Sequence, residues 1–264
     1  MIKFIIHFVI IISLTALTQI GGIIYLVSIL FFKREGKRYR LKRFVSFLIL
    51  YLVSTFLVIP YTAPFFGRMK IENNAVINSH NFMTQLLNRN YVSPKLHTVL
   101  EEISLRVNKE YPEIKLIYLD ANFPFFDGFP LLPHLSHNDG NKIDISFIYD
   151  DQNGKITNSK PSNSGYGVFE KPLRNETNQT YICKTEGFCQ YDYPKYLTFG
   201  TDQKLQFNSR ATKKLIQHIV NHDSTEKVFI EPHLKNRLGL TSSKIRFHGC
   251  KAVRHDDHIH LQVK

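Results

Sequence analysis

Two long stretches near the start of the chain contain no charged side chain. The first runs from Phe4 to Phe32 and the second from Phe44 to Gly67. Each is longer than the roughly 20 apolar residues that a helix needs to cross a bilayer. The apolar core of a cleaved signal peptide is shorter, at roughly 7–15 residues, so the first stretch predicts a retained membrane helix. The pair Gly21-Gly22 inside it is compatible with such a helix.

The segment between these stretches, KREGKRYRLKR at residues 33–43, has seven basic residues and one acidic residue. Short basic loops of membrane proteins stay in the cytoplasm. Residues 1–67 therefore predict a two-helix transmembrane hairpin with both chain ends outside the cytoplasm. Everything after residue 67 is then expected on the extracytoplasmic, or periplasmic, side of the inner membrane.

The net charge of +12 is concentrated at the N-terminus. Residues 1–67 hold eight basic residues and one acidic residue, which contribute +7, whereas the rest of the chain holds 26 basic and 21 acidic residues. The basic balance is therefore mostly a topology signal, with some attraction to anionic lipid. It gives no support to a nucleic-acid partner.

The remainder of the chain mixes helical and strand patterns without strict alternation, which predicts an α+β fold. Residues 68–92 are polar and predict a stem with a short helix near residues 81–87. Residues 93–264 predict one outer domain. Its main predicted elements are a helix from Ser93-Pro94 that ends before Pro112, a strand at 142–149, an extended insert at 155–206, a helix from Asn208 or Ser209, and a last strand at 258–263.

The last strand carries two histidines on one face. Because side chains alternate along a strand, His258 and His260 share a face with Gln262, and the three apolar residues between and after them share the other. His255 lies three residues upstream. Two histidines at this spacing suit a metal site, but the spacing alone is a weak signal.

A second polar cluster lies at HLSHNDGNKIDI, residues 134–145. His137 ends a loop, and Gly140 permits a tight turn before the strand. Asp144 stands between two isoleucines in that strand, where a buried carboxylate without a partner is costly. A cation would supply the partner. An imidazole, a carboxylate and a second imidazole make a familiar zinc set with one position left open for water.

Both clusters together resemble the superfamily of lysostaphin, D-alanyl-D-alanine metallopeptidases and hedgehog domains. The resemblance rests on Ser136-His137, Gly140 and Asp144-Ile145, followed far downstream by His258-x-His260. It is strongest to the penicillin-insensitive murein endopeptidase branch, which has a His-x-Ser-His run, as His134-Leu-Ser-His137 is here, and a further histidine before the His-x-His, as His255 is here. The resemblance covers about residues 112–264.

This resemblance implies a zinc metallopeptidase domain with a small antiparallel sheet. It implies Zn²⁺ as the cofactor, with His137, Asp144 and His260 as ligands. His258 would be the general base, and His255 would stabilise the developing oxyanion or hold substrate. A histidine titrates near working pH, which independently suits proton transfer.

The implied function is hydrolysis of peptide bonds in peptidoglycan by an enzyme anchored in the membrane. Two alternatives remain open at this point. One is a D-Ala-D-Ala carboxypeptidase or dipeptidase that acts on a short peptide. The other is a membrane-tethered binding module that contains zinc without catalysis.

Three further expectations concern residues around these motifs. Cys183 and Cys189 flank a five-residue stretch and predict a disulfide in an oxidising compartment, which leaves Cys250 over. Asp256 and Asp257 either orient imidazoles or are solvated charges. We leave His248 outside the predicted site.

Overall fold

The computed structural model describes residues 1–31, 37–202 and 204–264. Residues 33–36 of the predicted basic loop, and residue 203 of the predicted insert, lie outside this range. The chain forms two compact units, each built from several segments. The first unit comprises Met1–Ile71, Phe82–Pro94 and Ala121–Gly140, and the second comprises Glu72–Asn81, Lys95–Asp120 and Asn141–Lys264.

Helices and strands alternate irregularly along the described residues, so the chain is α+β. The α-helices are α1 (Ile2–Thr18), α2 (Gly21–Phe31), α3 (Tyr39–Val53), α4 (Ile59–Thr62), α5 (Phe82–Leu86), α6 (Pro94–Glu110), α7 (Gln179–Thr185), α8 (Ser209–Val220) and α9 (Pro232–Arg237). The strands are β1 (Met69–Lys70), β2 (Ile77–Ser79), β3 (Tyr91–Val92), β4 (Leu116–Asp120), β5 (Lys142–Ser146), β6 (Tyr149–Asp150), β7 (Ile156–Thr157), β8 (Gln206–Phe207), β9 (Thr225–Phe229), β10 (Ile245–Arg246) and β11 (His258–Val263).

The first apolar stretch is two helices, which corrects the prediction of one membrane-spanning helix. Helix α1 ends at Thr18, and Gln19 takes a left-handed φ of 67° before α2 begins. The two helices fold back on each other, since His7 Nδ1 lies 2.8 Å from the hydroxyl of Tyr25. In one continuous helix these residues would be about 27 Å apart.

The pair Gly21-Gly22 allows this close return. A Cβ added at Gly22 would lie 2.0 Å from Thr15 Oγ1, and one added at Gly21 would lie 2.7 Å from Thr18 Oγ1. The Thr18 hydroxyl also accepts a hydrogen bond from the Gly21 N–H at 2.8 Å. Gly21 and Gly22 therefore lie where the chain reverses direction between α1 and α2.

The second apolar stretch forms one helical segment, Tyr39–Phe66, which is long and apolar enough to cross a membrane by length and composition. Within it, α3 continues through a π-helical turn at Ser54–Val58, then α4, and then a 3₁₀ turn at Ala63–Phe66. Pro60 follows the π-helical turn and has no N–H to donate to an earlier carbonyl, which accounts for the irregular hydrogen bonding.

A six-stranded sheet forms the centre of the second unit, in the order β10-β9-β11-β5-β4-β2. Its inner pairs are antiparallel, and its outer pairs β10–β9 and β2–β4 are parallel. The last strand, β11, lies between β5 and β9. Its apolar face is fully buried, with Ile259 and Leu261 at 0% exposure. This position also buries the histidine face of the same strand.

Several predicted elements are confirmed with small shifts. Helix α6 begins at Pro94, and α8 follows Asn208, whose side chain accepts the Ala211 N–H at 2.8 Å as an N-cap. The strand predicted at 142–149 ends at Ser146, and β6 belongs to a separate three-stranded sheet with β7 and β8. Residues 68–92, predicted as a stem, contain α5 and three strands, of which β2 extends the large sheet.

Candidate metal centre

The pairing of β5 with β11 brings a carboxylate and an imidazole together. Their register places His260 directly opposite Asp144. Nδ1 of His260 lies 2.9 Å from Oδ1 of Asp144. Both side chains are buried, at 3% and 1% exposure. Two central strands therefore fix the geometry of this pair, as the alternation of β11 predicts.

His137 lies in the loop before β5 and is also buried. Its Nδ1 lies 2.8 Å from the carbonyl oxygen of Ala121, so Nδ1 carries the proton and donates. Such a bond to a backbone carbonyl is the usual partner of a metal-binding histidine, because it fixes the ring and leaves Nε2 as the ligand atom. The ring of His134 lies 5.5 Å from that of His137.

His137, Asp144 and His260 form a buried group that could hold a metal ion. Each offers one ligand atom, and these atoms all lie within 4.8 Å of one another. Two imidazole nitrogens and a carboxylate oxygen suit a divalent first-row transition metal. The structure thus brings together all three residues that the sequence predicts as ligands.

His258 lies beside this group and is held by a carboxylate of its own. Its Nε2 is 3.6 Å from Oδ1 of Asp144, and its Nδ1 is 2.5 Å from Oδ1 of Asp257. The other oxygen of Asp257 accepts the N–H of Gly167 at 2.6 Å. Burial lowers the pKa of His258, but the charges of Asp144 and Asp257 outweigh burial and raise it to about 9.

His255 is buried near the other two histidines of its motif. Its ring centroid lies 4.9 Å from that of His258 and 5.7 Å from that of His260. Burial lowers the pKa of His255 well below its usual value, and the neighbouring His258, His260 and His248 lower it further. The imidazole of His255 is therefore neutral at physiological pH.

Tyr166 reaches the site from the predicted insert, and sequence reasoning missed it. Its hydroxyl donates to Oδ2 of Asp144 at 2.9 Å, and its ring meets that of His258 edge-on at 5.1 Å. Gly165 and Gly167, on either side of it, both have positive φ. An aromatic residue between two glycines in a polar insert is the sequence signal that could have identified it.

His248, which the sequence motifs do not include, lies against the same cluster. Its ring stacks on Phe229 at 4.0 Å with an interplanar angle of 12°. It is also 5.1 Å from the ring of His255 and 5.9 Å from that of His260. Phe229 is opposite His260 on β9, so the pairing of β9 with β11 explains a contact that sequence spacing does not indicate.

Arg254 and two carboxylates hold the segment that leads into β11. Arg254 donates to both oxygens of Asp256, at 2.7 and 2.5 Å, and to Asp192 at 2.9 Å. Asp256 and Asp257 are 0% and 2% exposed. The alternative that these two aspartates are solvated charges is therefore excluded. Asp257 contacts an imidazole, and Asp256 is bound mainly to Arg254.

Glu231 supports the same segment from the start of α9. Its Oε1 accepts the backbone N–H of His255 at 3.0 Å, and its Oε2 accepts the hydroxyl of Tyr191 at 2.6 Å. Burial raises the pKa of Glu231 from 4.5 to about 7, and the charge of Asp256 raises it in the same direction. The backbone position of His255 is thus fixed by a side chain from another element.

The predicted disulfide between Cys183 and Cys189 is wrong. Cys183 is bonded to Cys250, with a Cα–Cα distance of 5.2 Å, and Cys189 is an exposed free thiol. Cys183 lies on α7 and is fully buried. Cys189 begins the following 3₁₀ turn. The bond links the insert to the loop that leads to Arg254, which proximity along the sequence does not reveal.

Comparison with models of known protein families finds no family that matches this chain, and comparison with curated proteins finds none that is similar. The case for a function therefore depends on the geometry of the site.

Proposed function

We propose that this protein is a membrane-anchored zinc metallopeptidase that hydrolyses peptide bonds in peptidoglycan outside the cytoplasm. One observation carries the proposal: a buried group of His137, Asp144 and His260 that could hold a metal ion, beside a fourth residue, His258, that is held by its own carboxylate. A structural zinc site has four protein ligands and no open position, whereas a catalytic one has three.

The donor set fits zinc, because two histidines and one carboxylate are a common catalytic zinc site. When bound there, zinc would polarise the scissile carbonyl and lower the pKa of a bound water to about 7. Tyr166 donates a hydrogen bond to Oδ2 of Asp144. Oδ1, which faces His260, would then be the oxygen that binds the metal. The protein thereby sets which carboxylate oxygen is used.

His258 is the general base of this proposal. Asp257 accepts a hydrogen bond from Nδ1, so Nε2 is the atom that takes a proton from the attacking water and returns it to the leaving amine. A pKa of about 9 would hold the proton too tightly for a base. This raised pKa reflects the full negative charge of Asp144, however. A cation bound to Asp144 would weaken that attraction and lower the pKa of His258 toward its ordinary value.

His255 is neutral because of its low pKa, and a neutral imidazole still donates one hydrogen bond. In this proposal His255 donates that hydrogen bond to the carbonyl oxygen of the substrate, where negative charge develops in the transition state. Glu231 fixes its backbone through the N–H contact.

The location outside the cytoplasm has two supports. The Cys183–Cys250 disulfide is of a kind that persists in oxidising compartments. The basic residues of 37–43 lie just before and within the first turns of the helical segment Tyr39–Phe66, which is apolar enough to cross a membrane, and basic flanks stay in the cytoplasm. The segment after Phe66 would then emerge on the periplasmic side of the inner membrane, where peptidoglycan is the available polymer.

The test is digestion of purified peptidoglycan by the full chain in detergent, with product analysis and a metal assay on each preparation. We expect cleavage of the peptide cross-links, loss of cleavage with a chelator, and recovery with added zinc. Asp144→Ala should lose both bound zinc and hydrolysis, because it removes one of three protein ligands. The control is Asp223→Ala, an aspartate on the turn after α8.

Other outcomes would replace this function. Release of a single terminal D-alanine, without cleavage of cross-links, would indicate a carboxypeptidase. Zinc bound by the wild type, with no hydrolysis of peptidoglycan or of short D-amino acid peptides, would indicate a binding module. If the wild-type chain binds no zinc, the proposal is wrong.

A further inference from the structure

Three large apolar side chains of the first unit are exposed beside the helical segment Tyr39–Phe66. Phe82 and Met83, at the start of α5, are 60% and 51% exposed. Phe126, in the loop between β4 and β5, is 62% exposed. Single exposed apolar residues are common on protein surfaces, whereas a continuous apolar patch marks an interaction site. The contacts of these three residues decide which case applies.

Ring contacts join these side chains to the helical segment. The ring of Phe82 stacks on that of Phe56, with a centroid distance of 5.9 Å. The ring of Phe126 meets that of Phe66 edge-on at 5.5 Å. Phe56 and Phe66 both belong to the segment that is apolar enough to cross a membrane. The apolar surface of this segment therefore continues onto α5 and onto the loop.

Helix α5 is held where α1 ends. The hydroxyl of Tyr51 donates to the carbonyl of Leu86 at 2.6 Å, and Nδ2 of Asn88 donates to the carbonyl of Thr18 at 3.3 Å. Thr18 is the last residue of α1. Lys3 is about 22 Å away along the same helix, where it lines one cavity with two arginines of α3. Basic flanks stay in the cytoplasm, so α5 lies at the outer end of these helices.

The continuity of this surface identifies what covers it. Leu57, Tyr61 and Phe65 on the helical segment are exposed as well, and in the proposed function a bilayer covers them. Phe82 and Phe126 contact the same segment, so the same lipid reaches them. Phenylalanine and leucine are typical of short elements that lie in the interface of a bilayer.

We propose that Phe82, Met83 and Phe126 enter the outer leaflet of the bilayer beside the segment that crosses it. The proposal rests on the membrane anchorage in the proposed function but not on its metal chemistry. It adds a second contact with lipid, made by elements that follow the membrane-crossing segment in the chain.

This contact also concerns the metal centre, because Phe126 and His137 belong to the same loop. The N–H of Gly128, two residues after Phe126, donates to the carbonyl of Asn138, the residue after His137, at 2.8 Å. The two parts of the loop are therefore held together, and one of the three metal ligands is kept close to the surface of the bilayer.

The test uses single tryptophans, because the chain has no tryptophan of its own. Phe82→Trp, Phe126→Trp and Met83→Trp, a second probe of the same end of α5, are each reconstituted as full chains in vesicles of phosphatidylcholine. The acyl chains of the lipid are either ordinary or brominated. Bromine quenches tryptophan only at contact distance, so loss of fluorescence in the brominated vesicles measures entry of the side chain into lipid.

Two further variants serve as controls. Ile49→Trp reports anchorage, because Ile49 is an exposed residue of α3 within the helical segment. Leu105→Trp is the matched control for exposure, since Leu105 is 59% exposed on α6. Arg106 beside it pairs with Glu102 on the same helix, so the surface around Leu105 is charged and should remain in water.

We expect the probes at Phe82, Met83 and Phe126 to lose fluorescence in brominated vesicles nearly as much as Ile49→Trp, and Leu105→Trp to lose none. Retained fluorescence at Phe82 or Phe126, with loss in Ile49→Trp, would overturn the proposal and leave the anchorage standing. Emission shifted to shorter wavelength without quenching would also overturn it, because a protein partner or a second copy would then cover this surface. If Ile49→Trp is not quenched either, the anchorage and the lipid contact are both wrong, and the metal centre is still tested separately by digestion of peptidoglycan.

Discussion

Nδ1 of His258 lies 2.5 Å from Oδ1 of Asp257, the residue immediately before it in the chain. Neighbouring residues on a strand point to opposite faces, so this contact needs the chain to turn where β11 begins. Asp257 is outside the strand, and its second oxygen is anchored by the N–H of Gly167. The insert therefore holds the carboxylate that orients the predicted base.

The first prediction separates the base from the ligands. His258→Ala should keep close to one zinc per chain, because His258 is outside the three-residue group. Its hydrolysis of peptidoglycan should fall on the order of 10²–10⁴-fold, the usual contribution of a general base. Asp257→Asn should keep zinc and lose less activity. Metal content and initial rates on the same preparations check this prediction.

Two results would contradict this assignment. If His258→Ala also abolishes zinc binding, then His258 is a ligand and the site is a closed, structural one. If it retains zinc and full hydrolysis, then another group is the base, and His255 is the first candidate. His218→Ala, a surface histidine paired with Glu110, is the control for loss of a histidine elsewhere.

The sequence predicted that His137, Asp144 and His260 come together, and two of the signals behind this prediction are local. Alternation on β11 placed His258 and His260 together, and the isoleucines around Asp144 marked a buried carboxylate. The antiparallel pairing of β5 with β11 then joined the two motifs. The alternation and the flanking isoleucines each depend on residues within a few positions of one another, whereas the strand pairing joins residues far apart in the sequence.

The contacts that the sequence did not predict are made between distant segments. Tyr166 arrives from an insert with little periodicity, His248 is placed by its stacking on Phe229, and Cys183 pairs with a residue 67 positions away. The reversal between α1 and α2 was missed for another reason. Gly21-Gly22 is compatible both with a continuous membrane helix and with close return of the chain, and only packing decides between them.

The second prediction concerns Tyr166. Tyr166→Phe keeps the ring against His258 and removes only the hydrogen bond to Oδ2 of Asp144. Loss of such a partner weakens metal affinity by about 10–100-fold. Competition with a chromophoric chelator measures the zinc affinity. Tyr196 is an exposed tyrosine of the same insert, and Tyr196→Phe should leave the zinc affinity unchanged. An unchanged affinity in Tyr166→Phe would show that the hydrogen bond to Asp144 does not affect zinc binding.

The third prediction tests the revised cysteine pairing. Peptide mapping without reduction should find Cys183 joined to Cys250 and a free thiol at Cys189. Cys183→Ser with Cys250→Ser should lower the free energy of unfolding by about 2–4 kcal/mol, because the bond closes a long loop of the unfolded chain. Cys189→Ser should have little effect on stability. A peptide that joins Cys183 to Cys189 would restore the original pairing.

The fourth prediction concerns topology. Because α1 and α2 fold back on each other, the N-terminus lies at the same end as Phe31, and Lys3 lines one cavity together with Arg40 and Arg43. A reporter fused before Met1 should therefore be active only in the cytoplasm, and one fused after Lys264 only outside it. Two reporters that are both active outside would support a two-helix transmembrane hairpin, and cytoplasmic activity after Lys264 would contradict the peptidoglycan substrate.

The last prediction uses the pH dependence of stability. The pKa of Glu231 is raised from 4.5 to about 7 in the folded protein, first by burial and then by Asp256. The folded state therefore keeps a proton that the unfolded state releases between these values. The contribution of the protonated group to stability is complete below pH 4.5 and is lost as the pH rises through about 7.

Glu231→Gln keeps an oxygen for the N–H of His255 and removes the titration. Relative to this variant, the wild type should lose stability between about pH 4.5 and about pH 7, by roughly 3 kcal/mol at most. Urea unfolding of both proteins in detergent, with chelator present so that metal binding adds no pH dependence, measures the difference. A difference that stays constant over this range, or that grows in favour of the wild type, would mean that Glu231 is ionised in the folded protein and balanced by Arg254.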